Sequence, residues 1–308
     1  MNSDSLDTAS SPANEASGSK GAQQTRSDLV ELTKARLSVL VVVTTGAGFI
    51  SAWDRSLPFA WMLMIHTIFG TLLSAFGAAV FNQLLEVRQD ARMKRTADRP
   101  LPAGRMPQEL AFVIGWLLAG FGIVHLGVKV NPASAMLAGI TLALYIFVYT
   151  PLKRRSSWNT IVGAVTGGIP PMIGWVAAGG GFDAGAFWWF ALLFFWQLPH
   201  FFAINWIHRE EYMNAGFIML ANKDDTGSRT SLCSLFFSFA LVLLSATAPL
   251  AGVCRWWFLG PGLLTSGVLA WLSFQFLKAR TVESARKLFF GTLIYLPVTL
   301  IALLLAKT

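Results

Sequence analysis

Apolar residues gather in nine runs along this chain, at 37–53, 59–85, 109–128, 132–150, 158–180, 184–206, 232–253, 256–277 and 287–306. A helix rises ~1.5 Å per residue, so about 20 residues cross a hydrocarbon core of ~30 Å. The pattern predicts an all-α integral membrane protein with nine transmembrane helices. Only Arg255 and the neighbouring tryptophans mark the turn between the seventh and eighth runs. Residues 1–28 are rich in Ser, Ala, Asn and Gly and lack an apolar face, so they read as a disordered arm. Residues 29–308 then form the membrane domain. The arm contains no apolar h-region of a secretory signal, and Asp4, Asp7, Glu15 and Asp28 argue against an acid-poor mitochondrial presequence. A bacterial inner membrane is the expected location.

Composition agrees with this division. The chain is 54% hydrophobic and only 13% charged, about half the charged share of an ordinary soluble domain. Twenty of the 24 Lys and Arg residues lie ahead of the first span (Lys20, Arg26, Lys34 and Arg36) and in the loops after spans two, four, six and eight. Only Arg55, Lys129, Arg255 and Lys307 remain for the other side. The positive-inside rule puts the N-terminus in the cytoplasm, and nine spans put the C-terminus in the periplasm. The net charge of +8 is thereby a topological signal and needs no nucleic-acid partner. The two cysteines, Cys233 and Cys254, carry no disulfide or zinc spacing.

Two polar loops on the basic side are long enough to carry chemistry, 86–108 and 207–231. Asn82, Glu86 and Asp90 lead into the first at four-residue steps. Such steps keep side chains on one helix face, drifting only ~40° each, and spread three oxygen donors along ~12 Å. That is a ladder suited to a hard cation such as Mg2+. Arg88, Arg92, Lys94, Arg95 and Arg99 surround it, so carboxylates and bases share one membrane mouth. A metal-bound diphosphate would satisfy both. The plainer reading pairs Glu86 and Asp90 with arginines in a solvated loop.

The end of span six concentrates Gln197, His200, Asn205, His208, Glu210, Glu211 and Tyr212, and polar groups at membrane depth are costly enough to suggest function. Glu211 with Asp224 and Asp225 predicts a second acidic cluster on the same face. Four spans separate the two loops, which suggests a duplicated four-helix unit. His200 and His208 remain open between a loop hydrogen bond, a metal and a cofactor contact, whereas the single His66 and His125 read as structural. Lys153, Arg154 and Arg155 read first as topology determinants. Gly163, Gly167, Gly168, Pro170, Pro171 and Gly174 break span five, for close packing, for a widened cavity, or for both.

These segments together resemble the UbiA prenyltransferase superfamily, and within it the haem-farnesylating branch. The resemblance covers roughly residues 30–306. It rests on Asn82-x-x-x-Glu86-x-x-x-Asp90 continuing through Met93-Lys94-Arg95-Thr96 to Arg99-Pro100-Leu101-Pro102-Ala103-Gly104, on Tyr149-Thr150-Pro151-Leu152-Lys153-Arg154, on the Gly-Pro-Pro segment ending in Gly174-Trp175, on Trp196-Gln197-x-Pro199-His200-Phe201, and on Tyr212-x-x-Ala215-Gly216. It implies a UbiA-type helical barrel in two four-helix halves plus one helix. The implied reaction joins farnesyl diphosphate to a vinyl group of haem b, with Mg2+ as cofactor and the lipid bilayer as surroundings. The implied catalytic residues are Asn82, Glu86, Asp90, Arg95 and Glu211, with Asn82, Glu86, Asp90 and Glu211 as metal ligands. Implied substrate contacts are Lys94, Lys153, Tyr149, His200, Tyr212 and Glu210. Contact with a downstream haem-modifying enzyme or a terminal oxidase is a further implied partnership. The chain departs from the family where Glu211-Tyr212 replaces the usual Asp-Tyr, His208 a Tyr, and Ile218 a Pro. Two other readings stay open: a UbiA-type enzyme with another aromatic or tetrapyrrole acceptor, and a membrane transporter. Acidic residues confined to one face weigh against transport.

Overall fold

A computed structural model describes residues 23–307. The chain enters as α1 (Gln23–Leu32), bends by 55°, and continues into α2 (Ala35–Ala52). Then follow α3 (Trp61–Asp90), α4 (Gln108–Lys129), α5 (Pro132–Leu152), α6 (Asn159–Ala177), α7 (Ala184–Ile207), a short α8 (Arg209–Asn214), α9 (Ser228–Thr247), α10 (Leu259–Ala279) and α11 (Val282–Leu305). Eight of the described helices are long and apolar enough to span a membrane, and the bent α1–α2 pair makes a ninth. The described residues contain no strand. Each long helix packs against the next, and α11 returns to α7 and α2 to close the bundle.

The first of several differences from the sequence reading concerns the arm. Residues 23–28, expected in the disordered segment, begin α1, and Asp28 is buried against Arg105 at 3.0 Å. The remainder of that arm lies outside the described residues. A second difference is the length of α3. Its 30 residues extend ~45 Å, well beyond a hydrocarbon core, so Asn82, Glu86 and Asp90 ride on the last turns of the span itself. A third is a π-helical stretch within α5, Leu144–Tyr149. Thr150 donates both its backbone N–H and, at 2.8 Å, its hydroxyl to the Tyr145 carbonyl, which closes the widened turn. Such insertions are frequent at functional sites.

Small residues let the central helices meet closely. A Cβ at Gly174 of α6 would overlap the Thr45 carbonyl of α2, and one at Gly48 would overlap the Pro171 carbonyl. The same logic brings α3 and α4 together, where a Cβ at Gly77 would strike Ala119 and one at Gly122 would strike the Ser74 backbone. With no hydrophobic force between helices in lipid, such dispersion-rich contact is what holds them. As a result α6 is the most enclosed span, surrounded by α2, α5 and α7.

The expected grouping of Glu211 with Asp224 and Asp225 does not form. Asp224 is buried and accepts a hydrogen bond from the Thr230 backbone at 2.7 Å, fastening the start of α9, and Asp225 faces solvent. Asp224 is a scaffold position: a carboxylate near a helix N-terminus satisfies donors that the helix leaves open.

Candidate active site

The cationic side of the bundle opens into a cavity of about 510 Å³ that runs inward between α2, α3, α5, α6 and α7. Its mouth is polar. Asn82, Glu86 and Asp90 line it in register, all buried, as the four-residue spacing predicts. Each holds a basic partner. Lys34 donates to Asn82 Oδ1. Lys153 Nζ lies 2.9 Å from Glu86 Oε1 and 3.1 Å from Oε2. Arg99 Nη1 lies 2.7 Å from Asp90 Oδ2.

These partners arrive from separate elements. Lys34 sits at the α1–α2 bend with φ +48°, a left-handed backbone uncommon outside glycine. Gln83 steadies that bend by donating to the Glu31 and Leu32 carbonyls, both at 2.9 Å. Arg99 is brought back by the folded 91–107 loop, where Thr96 donates to the Asp90 carbonyl at 2.8 Å. Lys153 follows the last turn of α5, and its carbonyl accepts the Ile218 N–H at 2.7 Å. Burial alone would lower the Lys153 ammonium, but the electrostatic pull of Glu86, Tyr149 and Tyr145 outweighs it and holds the proton above the ordinary lysine value. The ammonium lies 4.5 Å from the Tyr149 ring centre, a cation–π contact.

The two polar loops meet at this mouth. Met93 packs against Ala215, Phe217 and Met219. Arg95 donates to the Tyr212 hydroxyl at 3.2 Å. Arg95 and Tyr212 therefore line the cavity together, as the sequence reading requires. Three of its other residues do not. Lys94 and Glu210 are exposed and off the cavity wall. Glu211 is also off the wall, its carboxylate 3.8 Å from His208 Nδ1, which is too long for a hydrogen bond. No cluster of three or more His, Cys, Asp or Glu side chains suited to a metal occurs among the described residues. The oxygens that converge belong to α3 alone.

Deeper in, the wall becomes apolar and aromatic, with Tyr145, Tyr149, Ile173, Leu193 and Trp196. His200 also faces this chamber, stacked between Trp196 and Phe289. Its Nδ1 lies 2.8 Å from Thr292 Oγ1 on α11. The Thr292 hydroxyl spends its one proton on the Phe289 carbonyl, so it accepts from His200. In the neutral ring that bond puts the proton on Nδ1 and leaves Nε2 as the acceptor. Trp196 is fixed by the same residue, its Nε1 donating to the Thr292 carbonyl at 2.8 Å.

The mouth thus carries four basic side chains against two carboxylates: Arg95, Arg99 and Lys153 as full cations, and Lys34, whose ammonium is brought down to about 7 by burial and by Arg99 and Lys153. A surplus of positive charge over hard oxygen donors, opening onto an aromatic chamber, is a receptor for an anion with an apolar tail. Residues 41–295 match the model of the UbiA prenyltransferase family. The chain belongs to the UbiA prenyltransferase family. Two similar UbiA proteins are named protoheme IX farnesyltransferase. That of Opitutus terrae is 41% identical over 285 residues, covering 91% of this chain and 95% of that protein. The human mitochondrial one is 39% identical over 282 residues, covering 91% of this chain and 62% of that protein. Among solved structures, a digeranylgeranylglyceryl phosphate synthase matches with a TM-score of 0.77 at 16% identity, over 92% of this chain and 99% of that one. A UbiA homologue from Archaeoglobus fulgidus bound to GPP and Mg2+ matches with a TM-score of 0.66 at 10% identity, over 90% and 99%. At such identities the likeness concerns the UbiA fold.

The sequence marks Lys34 only as a topology charge and points to Arg95, closer to Asp90 in number, rather than to Arg99. The signal for Arg99 is the Arg-Pro-Leu-Pro run: α3 has already ended at Asp90, and the prolines keep the following chain in turns that bring Arg99 back to it.

Proposed function

We propose that this chain transfers the farnesyl group of farnesyl diphosphate to a vinyl group of haem b, giving haem O and diphosphate, in a bacterial inner membrane with the mouth on the cytoplasmic side. One observation carries the reading: a single cavity joins the Asn82–Glu86–Asp90 ladder and its four basic side chains to an aromatic chamber that ends on His200. The relatives named protoheme IX farnesyltransferase support the choice of haem and farnesyl.

The donor set fits Mg2+. Asn82, Glu86 and Asp90 offer hard oxygens only, buried and facing one space, which is what a small divalent cation selects. When bound, Mg2+ supplies charge neutralisation for the leaving diphosphate. The chain supplies the rest. Lys34, Lys153, Arg99 and Arg95 now rest on the ladder and on Tyr212, and the same groups can turn to phosphate oxygens. Preorganised charge of this kind acts where negative charge develops and is typically worth ~2.7–4 kcal/mol per contact. The farnesyl C1–O bond breaks with its electron pair on the diphosphate. Tyr145, Tyr149 and Trp196 line the chamber, and their π systems are the electron-rich groups nearest to where the allylic cation would form. The terminal vinyl carbon of haem bonds to C1, water adds its oxygen to the carbon attached to the ring, and a proton is lost. In this reading the Nε2 lone pair of His200 receives that proton or contacts haem.

The test is direct. Purified protein incubated with haem b, farnesyl diphosphate and Mg2+ is expected to yield hydroxyethylfarnesyl haem by mass spectrometry, and EDTA in excess over Mg2+ is expected to stop it. Absence of that product, or full turnover in EDTA, rejects the proposal.

A further inference from the structure

The end of the bundle opposite the ladder holds a second concavity, and its charge is unusual for its position. Only four of the 24 Lys and Arg residues belong to this side: Arg55, Lys129, Arg255 and Lys307. Three of them, Arg55, Arg255 and Lys307, line one pocket. They come from the α2–α3 turn, the α9–α10 turn and the end of the described chain, so folding has gathered them. Like charges repel, and a low-positive face gains nothing in topology from concentrating what little charge it has. Burial and the Arg55 charge both press the Lys307 ammonium below its ordinary value.

Among the described residues the protein supplies only part of the counter-charge: Asp54 is the one carboxylate in the pocket wall, it accepts the Ser56 N–H at 2.8 Å, and it offsets one of the three cations. Among the described residues, neither Arg55 nor Arg255 makes an ion pair. Lys307 donates to the Trp53 carbonyl, which leaves two of its protons free. Behind the wall, Ser51 and Trp175 are more than nine-tenths buried, and Ser51 Oγ, Trp53 Nε1 and Trp175 Nε1 have neither a hydrogen-bond partner nor accessible surface. Three cations against one carboxylate at one place describe the complement of an oxyanion.

We propose that this pocket binds a phosphate anion at the outer membrane interface, carried by an anionic lipid headgroup or free in solution. The neighbouring Leu57, Trp61, Trp256 and Trp257 are exposed apolar residues at the same level, where lipid chains and the aromatic belt lie. The site is separate from the diphosphate mouth by the length of a span, so it does not take part in the transfer chemistry.

The experiment uses the full chain in detergent, with phosphatidylglycerol, phosphatidylcholine and inorganic phosphate as probes and native mass spectrometry as the readout. Wild type is expected to hold one phosphatidylglycerol in preference to phosphatidylcholine, and salt is expected to weaken it. The double variant Arg55→Gln/Arg255→Gln should bind it about tenfold or more weakly, since charge-assisted hydrogen bonds supply much of the affinity of so small a site. Both side chains are exposed, and an unchanged elution volume and unchanged farnesyl transfer would show that the variant is folded. If inorganic phosphate binds wild type but not the variant, while no lipid is preferred, the site stands and its source is the free anion. Equal retention of every probe by wild type and variant, or no binding of any, overturns the proposal.

Discussion

At the scale of single residues, the ladder was readable because i, i+4 spacing is a local property. Asn82, Glu86 and Asp90 share a face wherever the helix goes. Their partners were not readable. Lys34, Lys153 and Arg99 lie 48, 67 and 9 positions away. The plainer reading, simple pairing with bases, and the metal reading both describe oxygens that sit beside cations, and activity separates them. Glu86→Gln and Asp90→Asn each keep the side-chain volume. If the carboxylates act on the leaving group, kcat should fall by about 10²–10³ while the protein elutes unchanged. If they only anchor Lys153 and Arg99, thermal stability should fall and kcat should hold. A second residue-scale prediction concerns Thr292, which no sequence signal tied to His200. Thr292→Val removes the acceptor of the His200 Nδ1 proton at nearly constant volume. The loss of one buried hydrogen bond, about 1–3 kcal/mol, is expected to reduce kcat by tenfold or more and to shift the pH profile, with Thr292→Ser restoring both. An unchanged pH profile in Thr292→Val would show that the histidine tautomer is immaterial.

At the scale of elements, hydropathy located every span, since membrane length is written into the sequence as run length, but α3 runs past its expected end to Asp90, α9 stops at Thr247 rather than at 253, and α11 begins at Val282 rather than at 287. Two features escaped it. The polar turns that carry the ladder belong to α3, because a helix continues as long as its own backbone bonds allow, whatever side lipid ends on. The π turn at Leu144–Tyr149 has no signature in residue type, yet it changes which side chains of α5 face the cavity. The Gly and Pro run in α6 left packing and cavity widening as equal readings, and both hold: Gly174 meets α2, while Gly163, Gly167 and Pro170 line the cavity. Gly174→Val should therefore force α2 and α6 apart and lower stability by about 1–3 kcal/mol or more, seen as a lower thermal denaturation midpoint in detergent. Gly139→Ala on α5, where a Cβ meets nothing within 4 Å, is the matched control and should leave the midpoint in place.

At the scale of the whole molecule, the charge asymmetry and the nine spans lead to one prediction of orientation. Alkaline phosphatase fused after Lys307 should be active in the periplasm, and the same reporter fused after Arg155 should be inactive. The reverse result would turn the diphosphate mouth to the outside. The two basic-side loops, four spans apart, meet through Met93, Phe217, Arg95 and Tyr212, so the relation inferred between them is a real juxtaposition. Its chemistry is different from the one expected. The contact is made by an aromatic, a guanidinium and apolar side chains, while Glu211 stays off the wall and Asp224 serves α9.

What the amino-acid order determined by itself was everything that depends on near neighbours: the apolar runs, the sidedness of charge, and a row of oxygens on one helix face. Each of these is settled within one or two turns of backbone, or by the sign of a loop. Only the tertiary structure decided which cation rests on which oxygen, which ring nitrogen of His200 carries its proton, and that three scattered charges at the far end share one pocket. Those facts require close helix contact between residues tens to hundreds of positions apart, and glycine-mediated packing, not local preference, sets that contact.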